Sequence, residues 1–466
     1  MEMIEALPGS FRDPSGHVYE IEGQIFRTVL EHHAVHFEYV KSTGLLQQFV
    51  QDGRILPAEQ VHKEVLGPVE EDVKYVIQVP KLPFVTFPYE WSFSALKAAA
   101  LLHLEINLAA LNKGITLSDA SAYNVQFQGT RPVFIDHLSF RKYYNGEIWA
   151  GHRQFSEQFL VPLLLRALFG ISHNAWYRGT QEGIPVSDFR RLLKWRHYFN
   201  WNVLTHVGMQ AIFQRAALDA RMYLKRDDLP TSPFPLSSFR RMLNGLHDWI
   251  TSLEPADTGK TLWQNYATTS GYATRETELK RQFIQEFVAK ARPKLLWDLG
   301  SNTGEYAAAA LEAGAEYVVG FDSDHGAVES CFARASREHL PFQALFMEIA
   351  NPSPSQGWME RERPGLRERA SADGILALAL VHHLVIANNI PFGQLLDWIV
   401  DLAPRGIIEF IPKSDPMVKC LLSLRDDIFS DYTLEVFLQI ISKKAEIVKT
   451  AVVSSSGRFL LWYHRR

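Results

Sequence analysis

The sequence predicts an α/β protein in which an α+β module precedes a parallel, doubly wound sheet that ends in a β-hairpin. Three observations lead to this prediction. From about residue 259, apolar runs of strand length alternate with helical segments, as in parallel strands joined by crossover helices. Residues 445–466 form two strand patterns around a Ser-Ser-Ser-Gly turn. Residues 1 to about 90 instead mix short strands and short helices.

Helical patterns dominate the second part of the α+β module. An apolar helix begins near Ser92 and ends near Gly114, where glycine is a favoured cap. Two extended segments follow and meet at a turn around Gly129, and the pattern is helical from Trp149 onward.

A cluster of prolines marks the boundary between the two parts of the chain. Pro230, Pro233 and Pro235 alternate with serine and threonine, which is typical of a linker. We therefore predict an α+β module over residues 1–225, a linker with a connecting helix over 226–258, and the doubly wound domain over 259–466.

Bulk composition restricts the class of protein and its partners. A chain of 466 residues is too long for one hydrophobic core. A net charge of −4 provides no general attraction for nucleic acid, so we do not expect a nucleic-acid partner. Cys331 and Cys420 form no CxxC pair, which favours a reducing, cytoplasmic compartment. Without a signal peptide or a long apolar stretch, we expect a soluble protein and no membrane partner.

A glycine-containing turn between two strands is the most informative segment. An apolar strand ends at Asp298, Gly300 and Gly304 follow in the turn, and a second strand delivers Asp322. Nucleotide ligands bind at the carboxyl ends of such strands, and an acid at the tip of the second strand can accept both hydroxyls of a ribose.

Charge decides which nucleotide suits this turn. The dinucleotide pattern GxGxxG is absent, because Asn302 takes the place of its second glycine. Asp298 and Glu305 flank the position of a pyrophosphate, and a like-charge pair about 4 Å apart costs roughly 4 kcal/mol at an effective dielectric of about 20. S-adenosylmethionine carries an ammonium and a sulfonium and no phosphate, so these acids would attract it.

From Trp263 to the C-terminus, the sequence resembles class I S-adenosylmethionine-dependent methyltransferases, whose first motif is acid-x-Gly-x-x-x-Gly. The resemblance implies a Rossmann-like domain with S-adenosylmethionine as its cofactor. The cofactor-binding residues that it implies are Asp298, Gly300, Ser301, Asn302, Gly304, Asp322 and Ser323, with Glu348 near the adenine. The aromatic residues Trp263, Tyr266 and Tyr272 either cover the cofactor or dock the preceding helix on the sheet.

Methyl transfer to a hydroxyl or a protonated amine requires a group that removes a proton. His382 and His383 follow the fourth strand of the sheet, and a histidine suits this role at neutral pH. Glu409 closes the next strand at the same edge, where it could orient a histidine or hold an amine. We interpret these three residues as catalytic candidates; structural roles are the alternative. Two histidines and a carboxylate could also bind a metal, but no ligand spacing requires one.

A second polar constellation lies in the α+β module. The spacing of Asp119, Asn124 and Asp136 resembles the catalytic loop and the metal-binding aspartate of kinase-like and aminoglycoside-phosphotransferase-like folds. The module departs from that pattern, because it has no glycine-rich loop and no VAIK-type strand lysine. Lys74 and Lys81 are the nearest candidates for such a lysine.

Together these patterns predict a methyltransferase that acts on a small-molecule or glycan-type hydroxyl or amine, with a kinase-like module that recognises the acceptor or a partner. The alternative is a phosphotransferase, or a bifunctional kinase-methyltransferase, that uses Asp119, Asn124 and Asp136. The sequence predicts no oligomeric state.

Overall fold

The computed structural model describes residues 5–67, 72–147, 149–209, 235–257, 273–423 and 425–466. The chain divides into two compact units. Unit 1 comprises Met1–Leu82, Thr86–Phe127 and Pro132–Thr258, and unit 2 comprises Gly259–Arg466 with the short segments Pro83–Val85 and Gln128–Arg131.

Unit 1 contains short strands in its first part. They are β1 (Val18–Ile21), β2 (Gln24–Leu30), β3 (Glu59–Val61), β4 (Val73–Val79), β5 (Ile115–Leu117), β6 (Val125–Gln128), β7 (Arg131–Phe134) and β8 (Phe140–Lys142). The first four form an antiparallel sheet in the order β1-β2-β4-β3. Strand β5 pairs with β8, and β6 pairs with β7 across the turn at Gly129, which has a positive φ of 64°.

Helices make up most of the rest of unit 1, as the sequence predicts. They span Glu31–Ser42, Leu45–Gln51, Phe93–Leu111, His152–Phe155, Val161–Phe169, Asn174–Thr180, Val186–Leu192, Trp201–Val203 and Leu236–Ser252. The α+β character predicted for this part of the chain is therefore confirmed.

The helix Phe93–Leu111 lies in the core of unit 1. Ser92 caps its first turn by accepting a hydrogen bond from the Ala95 amide at 3.1 Å. By length and composition it is the one helix among the described residues that could span a bilayer, but 61% of its apolar window is buried. This burial is that of a core helix. The predicted connecting helix, Leu236–Ser252, packs on it, and Arg240 donates a hydrogen bond to the Leu111 carbonyl at 3.1 Å.

Unit 2 is built on a seven-stranded sheet. Its strands are β9 (Leu295–Leu299), β10 (Tyr317–Asp322), β11 (Phe342–Phe346), β12 (Gly374–Ala377), β13 (Arg405–Phe410), β14 (Ala445–Val452) and β15 (Phe459–Arg465). They lie in the order β11-β10-β9-β12-β13-β15-β14. Strands β9 to β13 are parallel, and the C-terminal hairpin β14-β15 adds antiparallel to β13. The predicted Rossmann-like sheet with a terminal hairpin is confirmed.

The strand order reverses between β9 and β12. The chain passes outward from β9 to β10 and β11, and then returns to β12 on the other side of β9. Because crossovers between parallel strands are right-handed, the helices of the two halves lie on opposite faces of the sheet. The carboxyl ends of β9 and β12 therefore diverge into a crevice, which is where open α/β sheets bind ligands.

Six α-helices precede or connect the strands in the described part of unit 2. They span Ala273–Ala291, Glu305–Glu312, His325–Arg337, Phe392–Leu402, Pro416–Leu422 and Leu434–Lys444. The first of them buries Phe283, Ile284 and Phe287 in the same hydrophobic cluster as Leu296 of β9 and Val318 of β10. Trp263, Tyr266 and Tyr272, the predicted aromatic lead-in, lie outside the described residues.

Candidate functional site

The glycine turn after β9 is tied to the neighbouring strand β10. The amides of Gly300 and Ser301 both donate to the Phe321 carbonyl, at 2.8 and 3.0 Å. Gly300 and Gly304 have positive φ values of 79° and 75°, and Asn302 between them has a φ of 46°. These left-handed conformations fold the chain back on itself, which directs the turn to the carboxyl edge of the sheet.

Gly304 is required by space as well as by conformation. A Cβ atom at this position would lie 2.7 Å from the Phe342 ring and 3.2 Å from Sγ of Cys331. The helix Glu305–Glu312 therefore starts in close contact with the side chains under the turn.

Asp322 lies at the carboxyl end of β10, beside the turn. One oxygen of its carboxylate accepts from the Asn302 amide at 2.8 Å, and the other accepts from the Asp324 amide at 2.8 Å. The Ser323 amide also donates a hydrogen bond to this carboxylate, which has four acceptor positions in all, so one position remains for a further donor.

Two buried acceptor atoms lie at the turn without a donor among the residues that the structure describes. They are Oδ2 of Asp298 and Oδ1 of Asn302. Burial raises the pKa of Asp298 to about 7, and the nearby Asp322 carboxylate adds to the shift. A buried acceptor without a donor destabilises the fold, so binding of a donor at these two atoms would be favourable, and binding of a cationic donor most of all.

The other predicted cofactor residues differ in exposure. The Ser301 side chain is buried, with its Oγ 4.0 Å from Sγ of Cys331, so its contacts lie beneath the turn. Ser323 and Glu348 are exposed. Sequence reasoning missed a flat aromatic surface at the end of β11, where the His325 ring stacks on Phe346 at 4.2 Å and 7°.

The structure places Glu409 in contact with the end of β12 and with a lysine. One carboxylate oxygen accepts from the Ala379 amide at 2.9 Å, and the other lies 2.8 Å from Nζ of Lys280. Lys280 is buried and also pairs with Glu276 at 2.9 Å. These contacts position Glu409 as a support of the strand end.

The two predicted histidines follow β12 and differ in burial. Their rings are 4.1 Å apart; His382 is buried and His383 is half-buried. Neither ring nitrogen of His382 has a hydrogen-bond partner within the described ranges. Burial, then the proximity of His383 and Arg458, lowers the pKa of His382 to about 3, so this ring is neutral at physiological pH. Burial also lowers the pKa of His383.

In unit 1, the structure brings Asp119, Asn124 and Asp136 together around the hydroxyl of Ser139. That hydroxyl lies 2.7 Å from Oδ1 of Asp119 and 2.6 Å from Oδ2 of Asp136. The Asn124 amide donates to both oxygens of Asp119, at 3.2 and 3.0 Å. Sequence reasoning found the three residues but missed Ser139.

The cation of this cluster is Arg27 on β2, which sequence reasoning did not identify. Its guanidinium lies 2.7 Å from Asp136 and also contacts Asp13. The two lysines considered from the sequence pair elsewhere, Lys74 with Glu31 and Lys81 with Glu20. Over the described parts of both units, no three histidine, cysteine or acidic side chains are grouped so that they could hold a metal ion.

Comparison with known proteins identifies the family. No family model matches the chain. Over 460 residues, the chain is 44% identical to the nodulation protein NoeA of Rhizobium meliloti (strain 1021), covering 98% of this chain and 96% of that protein. The chain belongs to the NoeA family.

Several solved structures also match the NoeA family chain. The structure of WbdD is 17% identical with a TM-score of 0.29, and the match covers 41% of this chain and 39% of WbdD. Magnesium protoporphyrin IX methyltransferase (ChlM) from Synechocystis PCC 6803 with bound SAH is 16% identical with a TM-score of 0.30, covering 41% of this chain and 84% of ChlM. The O-methyltransferase from Bacillus cereus in complex with SAH is 11% identical with a TM-score of 0.30, covering 43% of this chain and 87% of that one.

In this NoeA family chain, sequence reasoning also missed the charged groups beside Glu409. Lys280 lies on the same helix face as the apolar residues Ile284 and Phe287, at helical spacing. A lysine on an apolar helix face indicates a buried charge, so the sequence could have predicted this one. Arg458 pairs with Asp415 at 2.8 Å and with Glu276 at 3.0 Å. These partners come from distant parts of the chain, so no local pattern shows the contact.

Proposed function

We propose that this NoeA family protein is an S-adenosylmethionine-dependent methyltransferase that holds its cofactor at the glycine turn of unit 2. One observation carries the proposal. The buried acceptors Asp298 Oδ2 and Asn302 Oδ1 lie without donors in the described structure, at the crevice where the strand order reverses.

The chemistry of S-adenosylmethionine fits these atoms. Its ammonium supplies three donors and a positive charge, which pair with the Asp298 carboxylate and the Asn302 carbonyl oxygen. A dinucleotide would instead bring phosphates beside two carboxylates, at a cost of roughly 4 kcal/mol for each like-charge pair about 4 Å apart at an effective dielectric of about 20.

Residues near the carboxyl ends of β10 and β11 can bind the ribose and the adenine of the cofactor. Asp322 has an acceptor position left after binding the Asn302, Asp324 and Ser323 amides, so we assign it to the ribose hydroxyls. Ser323 and Glu348 are exposed; Ser323 follows Asp322 directly, and Met347, which precedes Glu348, donates its amide to the Asp322 carbonyl at 2.9 Å. We assign Glu348 to the adenine amine. When bound, the cofactor supplies a methyl group that its sulfonium already activates.

We assign the residues after β12 to the part of the site that binds the methyl acceptor. His383 is half-buried and its pKa lies below the usual histidine value, so it is neutral and able to accept a proton near pH 7. His382 and Glu409 support this edge, with Glu409 holding the Ala379 amide. No group with a metal-binding arrangement occurs in the described chain, and we assign no metal to the reaction.

For the acceptor, we propose a small molecule or a glycan with a free hydroxyl or amine, and we assign its recognition, or that of a partner protein, to unit 1. The net charge of −4 argues against a nucleic-acid acceptor. Two free cysteines fit a cytoplasmic location. Methyl transfer from radiolabelled S-adenosylmethionine to a panel of small glycans and amines tests this assignment.

Calorimetric titration of the full chain with S-adenosylmethionine tests the cofactor assignment. We expect one site, and we expect Asp322→Ala to weaken binding by about 1–3 kcal/mol, the size of lost buried hydrogen bonds. Glu312→Gln, an exposed acid at the other end of the helix after the turn, is the matched control and should leave the affinity unchanged. No binding, or equal binding by Asp322→Ala, would overturn the assignment.

A further inference from the structure

The carboxylate cluster of unit 1 contains its own cation. We propose that Arg27 replaces the metal ion that a phosphotransferase would hold at Asp119 and Asp136, so that unit 1 binds no divalent cation there and transfers no phosphate. The proposal concerns unit 1 and is independent of cofactor binding in unit 2.

The contacts of Asp136 take up three of the four acceptor positions of its carboxylate. Its Oδ1 lies 2.7 Å from Nη1 of Arg27 and accepts from the Leu138 amide at 2.9 Å. Its Oδ2 accepts from the Ser139 hydroxyl at 2.6 Å. A magnesium ion requires near-octahedral oxygen ligands at about 2.0–2.1 Å. An ion shared between Asp119 and Asp136 would therefore have to displace the Ser139 hydroxyl, and an ion bound by both oxygens of Asp136 would also have to displace Arg27.

The space between the two carboxylates is also taken. The Ser139 hydroxyl reaches both Asp119 and Asp136, so one oxygen atom bridges the two groups that would otherwise share a metal ion. Asn124 turns the NH₂ end of its amide toward this cluster, since it donates to both oxygens of Asp119 and to Ser139. A metal-binding asparagine would present its carbonyl oxygen instead.

Charge favours the same conclusion. Arg27 is almost buried, with 11% of its side chain exposed, and it lies between Asp136 and Asp13. Burial opposes its charge, but these two carboxylates outweigh burial and raise the pKa of the guanidinium, so it stays charged at any pH at which the protein is folded. A divalent cation at Asp136 would be repelled by this fixed positive charge.

Arg27 is also the cation that contacts the cluster, whereas the two lysines considered from the sequence lie elsewhere. Lys74 and Lys81 are exposed and pair with Glu31 and Glu20. Arg27 holds β2 to the segment before β8 through Asp136. The cluster thus acts as a buried salt bridge that links two parts of unit 1.

Manganese titration followed by electron paramagnetic resonance tests the proposal on the full chain. We expect no site in the wild-type protein that depends on Asp119. We expect Arg27→Met to create such a site, with an Mn²⁺ affinity at least about tenfold higher than in the wild type. The reason is that Asp136 and Asp13 lose the positive charge with which they pair. Arg54→Met is the matched control: the Arg54 side chain pairs with Asp52 and lies over the Phe49 ring rather than on Asp136, so its loss should create no site.

Two results would overturn the proposal. The first is Mn²⁺ or Mg-ATP binding by the wild-type protein that Asp119→Asn abolishes, and this comparison requires no substitution at Arg27. The second is an Arg27→Met variant that binds no Mn²⁺ although circular dichroism shows that it is folded. If Arg27→Met does not fold, the wild-type comparison alone decides the proposal.

Discussion

Glu409 on β13 accepts a hydrogen bond from the amide of Ala379, just beyond the end of β12, at 2.9 Å. Ala379 has a φ of 48°, a left-handed conformation that costs a residue other than glycine roughly 1–2 kcal/mol. The charged acceptor offsets this cost, and the chain leaves β12 in the direction that places His382 and His383 at the carboxyl edge. Glu409, which we expected near the reacting groups, thus stabilises the backbone segment that carries His382 and His383.

The Glu409–Lys280 pair should be strongly coupled in stability. Glu409→Ala leaves Lys280 buried with only Glu276 as its partner, so we expect a loss of about 3–5 kcal/mol in the free energy of unfolding, measured by urea denaturation. Asp401→Ala, which breaks an exposed pair with Lys444, should cost at most about 1 kcal/mol. The double variant Lys280→Met/Glu409→Leu should lose much less than the sum of its single changes; strict additivity would contradict the coupling.

Gly304→Ala should cost more stability than Gly314→Ala. Both glycines have positive φ, at 75° and 105°, but an added Cβ at Gly314 meets no atom within 4 Å, whereas at Gly304 it meets the Phe342 ring. We expect about 1–2 kcal/mol of backbone strain at Gly314, and at Gly304 a further roughly 1–3 kcal/mol from overpacking. Thermal unfolding of the two variants measures the difference, and equal losses would show that the turn relaxes around the new methyl group.

Asp298 should make both stability and cofactor affinity depend on pH. Its pKa is about 7 in the folded protein, above its unfolded value, so its stabilising effect is complete below the unfolded pKa and is lost as the pH rises through 7. Asp298→Asn should therefore be more stable than the wild type at pH 8, by roughly 2–4 kcal/mol without ligand. Urea midpoints at pH 5 and pH 8 check this expectation.

The same carboxyl group should strengthen S-adenosylmethionine binding as it ionises. Affinity should rise between pH 6 and pH 8, because only the ionised form pairs with the ammonium, and Asp298→Asn should remove this dependence. Calorimetry at both pH values measures it. A wild-type affinity that falls over this range would show that the ligand's cation binds elsewhere.

His383 should act in the transfer step. His383→Ala should lower turnover by about 10²-fold or more if this histidine removes the acceptor's proton, while the dissociation constant of S-adenosylmethionine stays within about twofold. Since the pKa of His383 is lowered, the wild-type rate should fall only below the usual histidine pKa, as the ring becomes protonated. His464→Ala, an exposed histidine of β15, is the control. Full activity of His383→Ala would exclude the proton-transfer role.

Local patterns made much of the fold predictable. Apolar runs and the glycine turn located β9 and β10, because buried strands require apolar residues and positive φ favours glycine. The Ser-Ser-Ser-Gly turn located the hairpin β14-β15, where Gly457 has a φ of 90°. The pattern Asp119, Asn124, Asp136 was readable for the same reason, since its members lie close together in sequence.

Pairings between distant elements were not predictable. Arg27 reads as one polar residue of an alternating strand, and nothing near it in sequence indicates that it meets Asp136. Ser139 is one serine among many until the structure places its hydroxyl between two carboxylates. We expected Glu409 to orient a histidine or to hold an amine, and the sequence did not indicate its pairing with Lys280, which lies on a helix that precedes the sheet. Electrostatic partners depend on topology, which a single sequence encodes only indirectly.

The position of Ser139 has a consequence for the proton content of the folded chain. Its hydroxyl has a single hydrogen, yet the oxygen lies within 2.7 Å of both Asp119 and Asp136. A proton on one of the two acids can supply the second hydrogen, and Asp119 is the one whose pKa is raised, to about 6, by burial and then by Asp136, so it carries this proton below about pH 6. Unit 1 thus folds with a proton taken from solvent, so unfolding near pH 5 should release it and give a calorimetric enthalpy that varies with the ionisation heat of the buffer.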